Sequence, residues 1–171
     1  MNAQSNRSRT LAALLAPALI GLLAVSGCKK QEAAAPVVAA PLHAPKDQGD
    51  KKAWIAYYQD VVGRNSKDIE GTTSPYFLPA PNVSKYQEMY DVQLGMVSGA
   101  VGRGVLPGNM LAFMSPDSTK MADLVVEAFK KASPGSFKKV TVLFIGKAED
   151  NDRVKAAVEP SGATYKFIEM N

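Results

Sequence analysis

The pattern of hydrophobic and polar positions changes character along the chain. From Leu11 to Val25 the residues are apolar with few breaks, LAALLAPALIGLLAV. Across residues 29–49 no helical or strand period is sustained, and Pro36, Pro41 and Pro45 break any helix. From Asp50 onward the apolar positions recur with regular periods. Trp54, Tyr57, Tyr58, Val61 and Val62 keep helical spacing, which predicts a helix over 51–63 with Asp50 as N-cap. Residues 64–83 read as irregular, except that Ser74 to Pro79 suits a short extended piece confined by its prolines to a sheet edge.

Ser84 and Gln87 have capping-box spacing ahead of a second helix. Its periodic positions include Tyr86, Met89, Tyr90, Leu94, Val97 and Val101. Gly95 and Gly99 weaken that helix but admit the close approach of another backbone. The last third is clearest. Met110 to Met114 reads as a strand, and Ser115-Pro116-Asp117 as N-cap, N1 proline and first-turn acid of a helix carrying Met121, Leu124, Val125, Ala128 and Phe129. Val140 to Ile145 is a continuous apolar run suited to a strand buried on both faces. Glu149, Asp150 and Asp152 open another helix, stopped by Pro160 and Gly162, and Thr164 to Met170 forms a final strand. The expected fold is α/β: a C-terminal β-α-β-α-β unit with a mainly parallel sheet, covered by the N-terminal helices.

The apolar run at 11–25 is shorter than the roughly 20 residues of a spanning helix and has the length of a signal-peptide core. Arg7 and Arg9 precede it, with no acidic residue among the first 27. Val25-Ser26-Gly27 then leads directly to Cys28, the one cysteine of the chain. This stretch resembles the lipobox read by lipoprotein signal peptidase. The resemblance implies cleavage between Gly27 and Cys28 and a diacylglycerol joined to the Cys28 sulfur, with further acylation such as palmitate. Two acyl chains already give stable membrane attachment. Lys29, in place of an aspartate, implies by the same resemblance an outer-membrane destination in a Gram-negative envelope, with the domain facing the periplasm. The chain then divides into a signal peptide (1–27), a lipidated Ala/Pro-rich tether (28–49) and one α/β domain (50–171). At about 3.1 Å per residue, the tether reaches several tens of ångströms.

Charge adds little. Of 20 Lys and Arg, two are Arg7 and Arg9, so residues 28–171 carry 18 basic against 16 acidic groups, a net of +2. No basic cluster with interleaved aromatics argues for nucleic acid. With Cys28 acylated no thiol remains, and His43 is the one histidine, in the tether. Ser-His-Asp and Cys-His catalysis and cysteine- or histidine-based metal sites are therefore not expected, and no cofactor is expected beyond the lipid.

Several segments imitate motifs. Gly102 to Gly108 has the glycines of a dinucleotide loop, but a helix precedes it and a strand follows, the reverse of what that fingerprint needs. Glu149 to Asp152 lacks the glycine and distal glutamate of a calcium loop, and serves as acid at a helix start. Open α/β sheets bind ligands beyond the carboxyl ends of their strands, which makes Ser115, Asp117, Ser118, Lys147 and Glu149 a candidate ligand crevice. Ser115 and Asp117 also have the simpler role of capping their helix. For a macromolecular partner the candidates are the aromatics Trp54, Tyr57, Tyr58, Tyr76 and Phe77. The first three either fill a core or anchor an interface, and they span more than one helical face, so one ring is expected to be exposed.

The expected function is that of a non-enzymatic, membrane-tethered domain that binds a protein in the periplasm. An immunity protein neutralising a periplasmic effector and an accessory part of an envelope or secretion complex both fit this description. The alternative is a small-ligand-binding or hydrolytic domain using the strand-end crevice.

Overall fold

A computed structural model describes residues 43–171; the expected signal peptide (1–27), Cys28 and the expected tether up to residue 42 lie outside the described residues. Four helices and four strands alternate along the chain: α1 (Lys51–Asn65), β1 (Thr73–Phe77), α2 (Tyr86–Arg103), β2 (Met110–Met114), α3 (Ser118–Phe129), β3 (Thr141–Gly146), α4 (Ala148–Val158) and β4 (Thr164–Glu169). A single 3-10 turn over Glu159–Ser161 follows α4. All strands pair in parallel, in the order β1-β2-β3-β4.

The architecture is α/β, as the periodicity predicts, but with one more strand in the succession than the β-α-β-α-β unit. The extra strand is β1, the proline-bearing piece near residue 75. Its register sets Pro75 opposite Ala112. The Tyr76 N–H points inward, so by strand alternation the donor that Pro75 lacks lies on the outer edge, where its absence costs no ladder bond. With β1 in place, α2 is a crossover helix between adjacent strands and not a cap added to the sheet.

Sequential strand order decides where the helices go. Residues alternate across each strand. Leu111, Phe113, Val142 and Phe144 face one layer made by α2, α3 and α4, with Val97, Val101, Leu124, Val125, Val154 and Val158 packed on them. Met110, Ala112, Met114, Leu143 and Ile145 face the other side, where Trp54, Tyr57, Tyr58 and Val61 of α1 cover them. Three crossovers thus share one face, and one helix serves the other.

Helix starts depart from the sequence reading in two places. At α2 the Ser84 capping box does not form, because Lys85 takes the N-cap position in the left-handed region, at φ 60°. At α3 the N-cap is Asp117, which accepts from the Lys120 N–H at 3.1 Å, while Ser115 accepts from the Asp117 N–H one turn earlier. Asp50 caps α1 as expected, accepting from the Ala53 N–H. Part of the stretch read as tether belongs to the fold: the Ala44 N–H donates to the Asn171 carbonyl, and the Asp47 carbonyl accepts from Trp54 Nε1.

Candidate functional site

The aromatic residues of α1 are not a surface. Trp54, Tyr57 and Tyr58 are 4%, 6% and 4% exposed. The expectation of one exposed ring fails because Tyr57 stands edge-on to Trp54, with centroids 6.0 Å apart and planes at 89°, and shares its cover. The Tyr58 hydroxyl reaches through to the β1–β2 seam. It donates to the Ala112 carbonyl at 2.6 Å and accepts from the Tyr76 N–H at 2.9 Å. Burial, first of all, raises its pKa above the ordinary phenol value. Tyr76 is half-buried and stacks on Phe113, with centroids 5.1 Å apart. Of the five candidate aromatics, Phe77 lines a groove beside α2, and Tyr58 lines a second, smaller hollow between α1 and β1.

The candidate crevice residues do come together at the carboxyl edge of the sheet, but they bond to one another. Ser118 Oγ, buried, donates to Asp150 Oδ2 at 2.6 Å and accepts from the Lys147 N–H at 2.8 Å. Ser115 is buried and turned back on Asp117. The Lys147 and Glu149 side chains are exposed. Asp150, only 3% exposed, also accepts from Arg153 Nε at 2.9 Å and Nη2 at 2.7 Å. Arg153 Nη1 in turn donates to Asp123 at 2.6 Å, and Nη2 to the Thr119 carbonyl at 2.9 Å. A carboxylate with its lone pairs so engaged ties the start of α3 to the start of α4.

Gly146 belongs to this junction. A Cβ there would sit 2.6 Å from the Phe144 ring and 2.7 Å from Ser118 Oγ, so the bend from β3 into α4 requires glycine. Strand order adds a further reason against a ligand crevice at this edge. Such crevices open where the order reverses and neighbouring crossovers leave on opposite faces. Here the order never reverses. The cluster around Asp150 was the part sequence reasoning missed. An Asp in the first turn was read as a partner of the helix dipole alone, and its available signal was Arg153 three residues on, on the same helix face.

The open surface lies elsewhere, along α2. Val92 and Met96 are 63% and 62% exposed and Met89 is 36% exposed, an apolar row at i, i+3 and i+7. Beside it runs a groove of about 430 Å³, walled by Phe77, Leu78 and Pro79 after β1 on one side and by Met89, Gln93 and Met96 on the other. Lys51 and Glu88 stand at its rim. Gln93 Nε2 is buried and has no hydrogen-bond partner among the described residues. Neither has the Tyr86 hydroxyl, whose pKa is pushed up to about 12 by burial and then by Asp117, Tyr90 and Asp123.

Among the described residues no group of His, Cys, Asp and Glu has the arrangement of a metal site, and no helix is long and apolar enough to cross a membrane. No family model, no curated protein and no solved structure matches the chain.

Proposed function

We propose that the chain is a lipoprotein, tethered through Cys28 to the outer membrane and facing the periplasm, whose folded domain binds protein along α2. The observation that carries the reading is the exposed row Met89, Val92 and Met96 beside the groove closed by Phe77, Leu78 and Pro79. Flexible methionines around an apolar groove adapt to the side chains of a partner. The unpaired Gln93 amide offers a donor that a partner carbonyl at the groove would satisfy. The polar cluster at the strand ends supports a structural role over a hydrolytic one, because its groups are consumed by each other. Inhibition of an effector and service in an envelope assembly both fit a tethered binder of this kind.

A photo-crosslinking side chain at position 92, in the full chain expressed in its own envelope, tests the surface. The expected result is one discrete protein adduct, lost when Met96→Glu is added and absent from a control at Lys155 on α4. An adduct pattern no different from that control would refute the surface. Cys28→Ser tests the tether: it should abolish incorporation of a labelled fatty acid and release the chain from membranes, and unchanged membrane retention would overturn the lipoprotein reading.

A further inference from the structure

The exposed face of α2 matches itself when turned end over end. At 3.6 residues per turn, Glu88, Met89, Val92, Gly95, Met96, Gly99, Gly102 and Arg103 fall within one arc of roughly 140°. All are solvent-exposed except the half-buried Gly99. The opposite arc holds Leu94, Val97 and Val101, packed on the core. Set two copies of this face antiparallel about a two-fold axis between Gly95 and Met96. Met96 then shares its level along the pair with the partner's Gly95, Val92 with the partner's Gly99, Met89 with the partner's Gly102, and Glu88 with the partner's Arg103, while beside the axis Met96 packs on the partner's Met96. Each large apolar side chain of the row shares its level with a glycine, which lets the two backbones approach there, and the one acid shares its level with the one arginine at the ends. A parallel arrangement loses all of this, with valine on valine, glycine on glycine and glutamate on glutamate.

The glycines are not explained within a single molecule. A Cβ at Gly95 would meet nothing within 4 Å. At Gly102 it would meet only the Lys131 side chain at 3.8 Å, ordinary contact, and at Gly99 the flexible end of Arg103 at 3.2 Å. Alanine is favoured by about 1 kcal/mol at interior helix positions such as Gly95 and Gly99, whereas Gly102 lies in the last turn of α2. Two costly glycines on one largely solvent-facing arc, level with exposed apolar side chains of a mate, are accounted for by a closely packed second helix. Arg103 makes no ion pair among the described residues, and Glu88 has only an exposed contact with Lys85 at 3.4 Å.

We infer that the protein bound along α2 is a second copy of this chain, in an isologous antiparallel α2–α2 pair. The inference rests on the reading of this face as a protein-binding surface and names its partner. The contact is modest: the arc is about 22 Å long, and a helix pair of that length buries less than the ~1,200 Å² of a standard interface. Anchoring both copies in one membrane would raise their effective concentration toward the millimolar range and compensate for the small area.

Sedimentation equilibrium on residues 28–171 carrying Cys28→Ser tests this. A reversible dimer is expected, with Kd on the order of 10–100 µM. Val92→Glu and Gly95→Leu should each weaken it more than tenfold. Gly95→Leu should do so without lowering the thermal midpoint of the monomer, which separates lost pairing from lost folding. Glu88→Arg and Arg103→Glu should each weaken the dimer several-fold, and the double exchange should restore it, a rescue peculiar to the antiparallel register. A chain that stays monomeric to about 500 µM, or a dimer indifferent to these changes, would overturn the inference. If the chain is monomeric while position 92 still crosslinks to a different protein in the envelope, the second copy is refuted and the binding surface stands. If position 92 crosslinks to nothing as well, both fall.

Discussion

Replacing Tyr58 by Phe removes one oxygen from a well-filled core and tests how α1 is joined to the sheet. The hydroxyl is donor to the Ala112 carbonyl on β2 and acceptor from the Tyr76 N–H on β1. Its loss leaves two buried backbone groups without that partner, each costing about 1–3 kcal/mol. The hydroxyl's own desolvation offsets part of this, so a net destabilisation of about 2–3 kcal/mol is expected, large against a typical domain stability of about 5–15 kcal/mol. Urea denaturation of residues 28–171 with Cys28→Ser, with and without the substitution, measures it; the midpoint should fall at unchanged m-value. The pH dependence gives a second reading. Burial raises the Tyr58 pKa in the folded state, while the unfolded phenol titrates near 10. Above pH 10 the unfolded chain releases this proton and the folded protein keeps it. The contribution to stability is therefore complete below pH 10 and is lost as pH rises toward the folded pKa, at about 1.4 kcal/mol per pH unit. The Phe variant should show a shallower alkaline decline. It should not be flat, because Tyr86 and Tyr165 are shifted upward as well. A cost below about 0.5 kcal/mol, or an unchanged slope above pH 10, would mean that the β1–β2 seam closes without the hydroxyl and that the bridge reasoning is wrong.

Other outcomes follow from the α3–α4 junction. Asp150→Ala takes from Ser118 and Arg153 their shared carboxylate, while Arg153 keeps Asp123 and the Thr119 carbonyl, and should cost about 1–3 kcal/mol; Arg153→Ala should cost less when added to it than alone, and a double-mutant cycle with additive losses would refute the coupling. Gly146→Ala forces the Phe144 ring and Ser118 Oγ apart and should lower stability by about 1–3 kcal/mol, read from the thermal midpoint. Asp117→Ala removes a helix cap and should cost about 1 kcal/mol; a variant that folds normally but loses a measurable hydrolysis would instead restore the strand-end crevice as a site.

The sequence exposes the parts of this fold where pattern and environment agree. Met110 to Met114 is found as a strand with the predicted bounds, and the run near Val140 is a central strand, because buried parallel strands need apolar residues on both faces. β1 is obscured by its polar Thr73 and Ser74 and by Pro75, which belong to an edge and not to a core. The start of α2 was misread because a Ser-x-x-Gln spacing says nothing about Lys85 entering the left-handed region. The candidate surface was the least legible part. Aromatic residues drew attention to α1, yet whether a helical row faces core or solvent depends on which strand precedes it. Met89 keeps core spacing with Tyr86 and Tyr90 but sits at the margin of the packed arc, and only the docking of α2 on β1 and β2 reveals that. Gly95 and Gly99 were readable as points of close approach; what approaches was not.

The uneven division of helices between the two faces of the sheet has a consequence for how the molecule opens. On one face three helices stand side by side, α3 flanked by α2 and α4, and share the cover of the sheet. On the other, α1 is a lone shutter. Its detachment uncovers Met110, Ala112, Met114, Leu143 and Ile145 together, a greasy panel spanning the two central strands. The shutter is latched near its start by Asp50 on the Ala53 N–H, by Trp54 on the Asp47 carbonyl and by Ala44 on Asn171. These latches are adjacent in sequence to the stretch that leads to Cys28. If Cys28 carries the proposed lipid, tension along that stretch acts on these latches first, and so on the element whose release uncovers this panel.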